Sequence, residues 1–340
     1  MSQRLLDETQ SQATPLEAPD KQVKYFSLQW PPTASGVKEL VTALIDGQGF
    51  ALPDIESLVR LIRRARTILD RRSNVVTLDP SEGPIAVIGD LHGQFPDFLR
   101  YMVAADEEDA VMLINGDIVD RDPFSLEILA VLLYRLVVDP RKVMINRGNH
   151  ESGKCTARYG FQREVRARYG SDLVYEESLS LFQSIPIATI VHGTALVVHG
   201  GPWNPATVDL QTIQDLDRHV DCPTTGPMAD MLWSDPMPTD GTQPSARAAG
   251  VMYGPDVSAG VCRQLGVKGI IRSHQVTPEG LSTVHEGLTT TVFSAPGRLP
   301  WNRGGVVMIR QTGDGVEAQP LLFKRTQGPD AARTVQCCVM

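Results

Sequence analysis

Eight residues of this chain carry side chains that could hold a divalent cation, and each stands at the end of an apolar run. They are Asp90, His92, Asp117, Asp120, Asn149, His150, His199 and His274. Four of the seven histidines fall in this set and no cysteine does. Carboxylate, amide and imidazole donors without thiolates suit Mn²⁺, Fe or Zn²⁺ better than Ca²⁺ or Cu(I). A carboxylate between two such donor groups can bridge two ions at about 3.5–4 Å, a spacing that polarises a phosphoryl oxygen and activates a water together. Each piece alone is weak. A strand-end Asp commonly caps a helix or turn, and a His after an apolar run is commonly a hydrogen-bonded core residue. Their joint occurrence is specific: GDLHGQ at 89–94, GDIVDR at 116–121, RGNHE at 147–151, HGG at 199–201 and RSHQ at 272–275 follow one another.

The segments between these clusters must place them together. Residues 85–93, 110–121 and 142–151 each read as a short buried strand running into a polar loop. Helical spacing occupies 95–105 and 123–138, where Leu126, Leu129, Ala130, Leu133 and Val137 line one face. Strand and helix in alternation with short connections predict βαβ units and a parallel sheet. Loops at the carboxyl ends of parallel strands converge on one crevice. After residue 185 the pattern turns strand-rich, at 185–191, 194–201, 269–275, 289–297 and 305–310. The polar clusters of both halves make sense only as one site, so 81–321 is read as one catalytic domain. Residues 1–22 read as a disordered tail, 23–80 as a mostly helical extension packed on the core, and 322–340 as a flexible tail.

Composition narrows the function. With 340 residues, 42% of them hydrophobic, the chain can bury a sizeable core. The formal net charge of −8 provides no whole-protein field for nucleic acid, which is not expected as a partner. Five cysteines without C-x-x-C spacing argue for a reducing, cytoplasmic setting. No apolar run approaches the ~20 residues of a spanning helix.

In its motif blocks the chain resembles the PPP family of metal-dependent serine/threonine protein phosphatases. The resemblance covers residues 84–312 and extends to Tyr159-Gly160-Phe161, Trp233-Ser234-Asp235-Pro236 and Ser294-Ala295-Pro296. It looks closest to the branch that holds protein phosphatase 5 and the EF-hand phosphatases. It implies an α/β calcineurin-like metallophosphoesterase fold: a central β-sandwich flanked by helices, with a dinuclear metal site at strand ends. It further implies two divalent metal ions (Mn, Fe or Zn), with Asp90 and His92 on the first, Asp117 bridging, and Asn149, His199 and His274 on the second. His150 would be the general acid, oriented by Asp120. Arg121 and Arg247 would grip the phosphate, with Asn149 also touching substrate. The implied reaction is hydrolysis of phosphoserine and phosphothreonine in phosphoproteins by an activated hydroxide. The alternatives are a phosphoesterase acting on nucleotides or small phosphates, and a phosphate-binding scaffold without turnover.

The chain departs from the family pattern in three places. Asp122 replaces the usual Gly after Arg121, Pro202-Trp203 follow HGG, and Gly297-Arg298 stand where Asn-Tyr is usual. The replaced aromatic ordinarily sits over the active site. Arg298 is read either as a further positive group near the phosphate or as a solvated loop arginine.

Two further signals concern targeting. The chain ends Cys337-Cys338-Val339-Met340, a C-a-a-X pattern that makes Cys337 a prenylation candidate and a cytosolic membrane face a candidate location. The 54–72 segment has apolar residues at helical spacing with arginines at 60, 63, 64, 66, 71 and 72. It reads as a packed helix with a solvated basic face, or as a docking helix for a calmodulin-like partner or acidic membrane.

Overall fold

In the strand Ile85–Ile88 every residue is buried, and successive side chains serve different layers. Ile85 and Val87 join a core that also holds Leu113, Met144, Val197, Ile271, Val292, Val307 and Ile309, while Ala86 and Ile88 join the helices on the other side. This period of two, apolar on both faces, makes a sheet buried on both sides. The computed structural model describes residues 23–47, 51–313 and 315–326. The expectations for residues 1–22 and for Cys337 lie outside the described residues.

The sandwich strands are β1 (Val75–Leu78), β2 (Ile85–Ile88), β3 (Val111–Asn115), β4 (Val143–Asn146), β5 (Ala188–Val191), β6 (Ala195–Val198), β7 (Gly269–Arg272), β8 (Leu281–Val284), β9 (Thr289–Val292), β10 (Gly304–Thr312) and β11 (Gly315–Phe323). One sheet has the order β11-β10-β2-β3-β4 and the other β8-β9-β7-β6-β5-β1. Pairs β2–β3 and β3–β4 are parallel, as the βαβ pattern predicts. The sheet is nevertheless mixed, which corrects the parallel-sheet expectation: β10 runs antiparallel to β2 and β11 antiparallel to β10. The chain returns to the first sheet as a hairpin, and a hairpin needs no crossover. The second sheet is mixed too, with β5–β6 antiparallel and β6–β7 parallel.

Helices α1 (Ala34–Asp46), α2 (Ile55–Leu69), α3 (Phe95–Glu107), α4 (Ser125–Val138), α5 (Gly153–Tyr159), α6 (Phe161–Tyr169) and α7 (Leu173–Ser184) follow in chain order. Helix α2 is capped by Asp54, whose side chain accepts the Ser57 N–H. Its apolar face (Leu58, Leu61, Ile62, Ala65, Leu69) is buried in the core that α4 also enters. The 23–80 extension is less helical than its sequence suggests. Lys24–Phe26 and Ala51–Pro53 pair as two short strands, and β1 is an edge strand of the second sheet, paired with β5. At the other end β11 continues to Phe323 and so takes in the first two residues of the expected tail. Among the described residues, no helix is long and apolar enough to cross a membrane.

Candidate active site

Five strands deliver the candidate residues from their carboxyl ends. The loops follow β2 (Asp90, His92), β3 (Asp117, Asp120, Arg121), β4 (Asn149, His150), β6 (His199) and β7 (His274). Several backbones are held in the left-handed region that L-residues avoid: His92 (φ 44°), Asp117 (φ 50°), Asp120 (φ 73°), Arg121 (φ 78°) and His274 (φ 70°). Each such residue costs about 1–3 kcal/mol and persists only where its surroundings over-determine it. Close approach also selects glycine at 148, where a Cβ would sit 2.3 Å from both the backbone N and Oδ1 of Asp117.

The eight side chains meet in one buried cluster. Asp117 faces two ways, with Oδ2 3.6 Å from His92 Nε2 and Oδ1 3.3 Å from His199 Nε2. Asp90 Oδ2 lies 3.8 Å from His92 Nε2. Asn149 Oδ1 lies 2.9 Å, and His274 Nδ1 3.3 Å, from His199 Nε2. Backbone carbonyls decide the tautomers, because a carbonyl only accepts. His199 Nδ1 faces Asn115 O at 2.8 Å and His92 Nδ1 faces Val119 O at 3.1 Å, so in the neutral rings both Nε2 atoms present lone pairs. Those lone pairs point at carboxylate and amide oxygens, which are lone pairs as well. Lone pairs without donors between them are what a cation resolves, and a carbonyl accepting from the remote ring nitrogen is the usual second support of a ligating His. The donor set therefore fits divalent metal.

Electrostatics agree. Burial, then the Asp90 and Glu151 charges, pushes the Asp117 carboxyl well above its usual range. Burial lowers His199 to about 3 and holds His92 and His274 well below the ordinary imidazole value. Left to itself the cluster resists both extra negative and extra positive protonation states, and cations compensate the carboxylates.

Beside the cluster, His150 Nδ1 lies 2.6 Å from Asp120 Oδ2, and the Phe161 N–H donates to Asp120 Oδ1 at 2.8 Å. Burial raises Asp120 to about 8 and lowers His150 well below its ordinary value. His150 Nε2, 3.9 Å from Asp117 Oδ2, is left facing the cluster. The Arg121 guanidinium stacks 4.1 Å over the Tyr159 ring. Arg247 Nε donates to Asp235 Oδ2 at 2.6 Å.

Several positioning residues carry no role in the sequence reading. Glu151 accepts three backbone N–H groups, from Asp117, Ile118 and Gly148, and so ties the β3 loop to the β4 loop. Asp235 sits between Arg247 and the fully buried Arg272, which also donates to Gly200 O and Ser234 O. Tyr159 and Phe161 support Arg121 and Asp120 as described. All lie inside motif blocks, so their spacing was a signal, but their partners were not legible. Arg298 is half-buried and lies within electrostatic reach of His92, His150, Asp90, Asp122 and Arg121. Asp122 takes a hydrogen bond from Gln94 Nε2 at 2.7 Å.

Comparison with known proteins follows the same blocks. The calcineurin-like phosphoesterase family profile matches residues 83–278. Human serine/threonine-protein phosphatase 5 is 36% identical over 241 residues, 70% of this chain and 48% of that protein. Serine/threonine-protein phosphatase T of Schizosaccharomyces pombe is 34% identical over 274 residues, 78% of this chain and 57% of that protein. The chain thus spans about half the length of the curated relatives it matches. A solved Saccharomyces cerevisiae protein serine/threonine phosphatase, described as similar to human phosphatase PP5, superposes with a TM-score of 0.78 at 29% identity, covering 86% of this chain and 98% of that one.

Proposed function

Since the chain belongs to the calcineurin-like phosphoesterase family, we propose that it is a two-metal protein serine/threonine phosphatase. The observation that carries this reading is the convergence of side-chain oxygen and imidazole donors from Asp90, His92, Asp117, Asn149, His199 and His274 in one cluster beside the His150–Asp120 pair. In this reading Asp90, His92, Asp117, Asn149, His199 and His274 would hold two divalent cations, with Asp117 shared between the two donor groups. Bound cations supply Lewis acidity to the phosphoryl oxygens and lower the pKa of water toward neutrality. Mn, Fe and Zn are all compatible with the donors.

The remaining chemistry belongs to the chain's own groups. A serine or threonine alkoxide is a strong base and needs a proton as it leaves. His150 Nε2 faces the cluster and delivers that proton, while Asp120 holds Nδ1 and raises the ring's basicity. The transition state spreads charge over equatorial oxygens, and the planar forks of Arg121 and Arg247 match them better than a point charge would. Tyr159 and Asp235 hold those forks in place before substrate arrives, and Asn149 would also touch substrate.

The test is phosphate release by the Mn²⁺-loaded chain from phosphoserine, phosphothreonine and phosphotyrosine peptides beside diadenosine tetraphosphate, with Asp90→Asn as control. Hydrolysis of the first two that vanishes in the variant supports the reading. Hydrolysis of the nucleotide alone transfers the site to the phosphoesterase alternative, and metal binding without turnover transfers it to the scaffold alternative.

Targeting is a separate part of this reading. Prenylation at Cys337 would bring the chain to a cytosolic membrane face, and equal soluble fractions of wild type and Cys337→Ser would remove it. A calmodulin-like partner on the basic helix is less well supported. The apolar face of α2 is buried, Arg63 pairs with Glu177, Arg60 stacks over Trp30 and Arg72 donates to Pro140 O. A partner would have to read the exposed Arg64, Arg66 and Arg71 with the helix in place.

A further inference from the structure

The loop after β9 begins on the metal-site loop and ends beside it. Ser294 Oγ accepts the Gly89 N–H at 2.7 Å, next to Asp90, and Tyr101 donates to Ser294 O at 2.9 Å. The chain then turns at Gly297 (φ 81°), and Asn302 closes the turn by accepting from Leu299 N and Gly297 N and donating to Ala295 O. The turn carries Arg298, half-buried on the loop that Ser294 fastens beside Asp90, and its charge is felt at His92, His150, Asp90, Asp122 and Arg121. A second cation backs it. Thr326 donates to Asp97 Oδ1 through both N and Oγ1, and Arg100 donates to Lys324 O, which pins the segment after β11 across the start of α3. That segment lays Arg325 on Gly297, so closely that a Cβ at 297 would sit 2.4 Å from Arg325 Cδ. Trp301, 63% exposed, stands on the same loop.

A phosphate monoester does not use all this charge. Its oxygens are answered by the cation-binding cluster and by Arg121 and Arg247. Arg298 is surplus to the reacting group and stays charged at neutral pH. A half-buried guanidinium at the rim of an anion site is suited to bind a second anion bidentately.

We propose that Arg298 is a specificity-determining residue that binds a second anionic group flanking the phosphorylated serine or threonine, so that acidic or doubly phosphorylated segments are the preferred substrates. This rests on the phosphatase reading above. The second anion can be a carboxylate or a phosphate, since the same fork takes both.

The experiment uses the full Mn²⁺-loaded chain and one phosphothreonine peptide with alanine at the three positions on either side. Glutamate and then phosphoserine are placed at each flanking position in turn. Wild type should show at least one position where the acidic peptide has a kcat/KM about five- to tenfold higher, carried by KM and shrinking as salt is raised. The glutamate and phosphoserine arms identify which anion is preferred. In Arg298→Gln the acidic-to-neutral ratio should collapse toward one, and Arg298→Lys should retain part of it. No preference in wild type, a ratio undiminished in Arg298→Gln, or an equal loss on every peptide would overturn the assignment and leave the phosphatase reading intact. Wild type that hydrolyses no phosphopeptide while cleaving diadenosine tetraphosphate would overturn both.

Discussion

His150 and Asp120 share a 2.6 Å contact between Nδ1 and Oδ2 in a pocket closed to solvent. The other Asp120 oxygen is occupied by the Phe161 N–H, so the carboxylate cannot swing away from the ring. The relationship commits Nδ1 of His150 to Asp120, and in the proposed reading Nε2 is the atom that would exchange a proton with substrate.

His150→Asn should therefore lower kcat on a phosphoserine peptide by about 10²–10⁴ while leaving metal content intact. Asp120→Asn should lower it less. An aryl phosphate, whose leaving group needs little protonation, should lose far less in both variants. Equal losses on the two substrates would contradict the proton-donor role.

Asp117 lies between the two donor groups, with one oxygen toward His92 and the other toward His199. Asp117→Asn should weaken both metal sites together, whereas Asp90→Asn should weaken one first. Metal content by elemental analysis after dialysis, with the shift in Tm on adding Mn²⁺, measures this. Ligands that bind only the folded state raise Tm by mass action, so the variant's shift should be small. Two metals per chain at wild-type affinity in Asp117→Asn would refute the bridging position.

Glu151 is a structural carboxylate, accepting from Asp117 N, Ile118 N and Gly148 N at 2.8, 2.9 and 2.9 Å. Glu151→Gln replaces one acceptor by an NH₂ that faces N–H groups. We expect a loss of about 1–3 kcal/mol in denaturant unfolding and a parallel loss of metal affinity, because the β3 and β4 loops separate. Unchanged metal affinity with reduced stability would show that the loops hold together without it.

Away from the site, Glu164 supplies a pH prediction. It is buried on α6 and accepts the Leu126 N–H at 3.1 Å, with Arg168 paired to its neighbour Glu127 at 2.8 Å. Burial, then the Glu127 charge, raises its carboxyl from an ordinary 4.5 to about 8. Between those values the folded protein holds a proton that the unfolded chain has released. Its contribution is full below the unfolded value and is lost as pH rises to about 8. Tm should thus fall between about pH 5 and about pH 8, and Glu164→Gln, which keeps the acceptor oxygen without titrating, should fall less steeply. A variant with the wild-type slope would place the titration elsewhere.

What could be read from residue order alone was what is local. The short apolar runs within 85–93, 110–121 and 142–151 and the polar clusters that end them located the strands, the candidate ligands and the crevice where they meet. Residue types named the metal chemistry, since oxygen and imidazole donors without thiolates describe a divalent-cation site, and the roles of the arginines came only with the resemblance of the motif blocks. Tertiary structure decided everything that depends on pairs distant in the chain. The β10–β11 hairpin makes the sheet mixed because strand direction is set by which edge the chain returns to, and periodicity is blind to direction. Asp235 joins Arg247 to Arg272, Glu151 staples two loops, and Arg325 supports the turn at Gly297 from 28 residues away. The fate of Arg298 belongs to this class. A loop arginine's sequence neighbours say nothing of what surrounds it, and only the packing of 294–302 against the β2 loop leaves it half-buried.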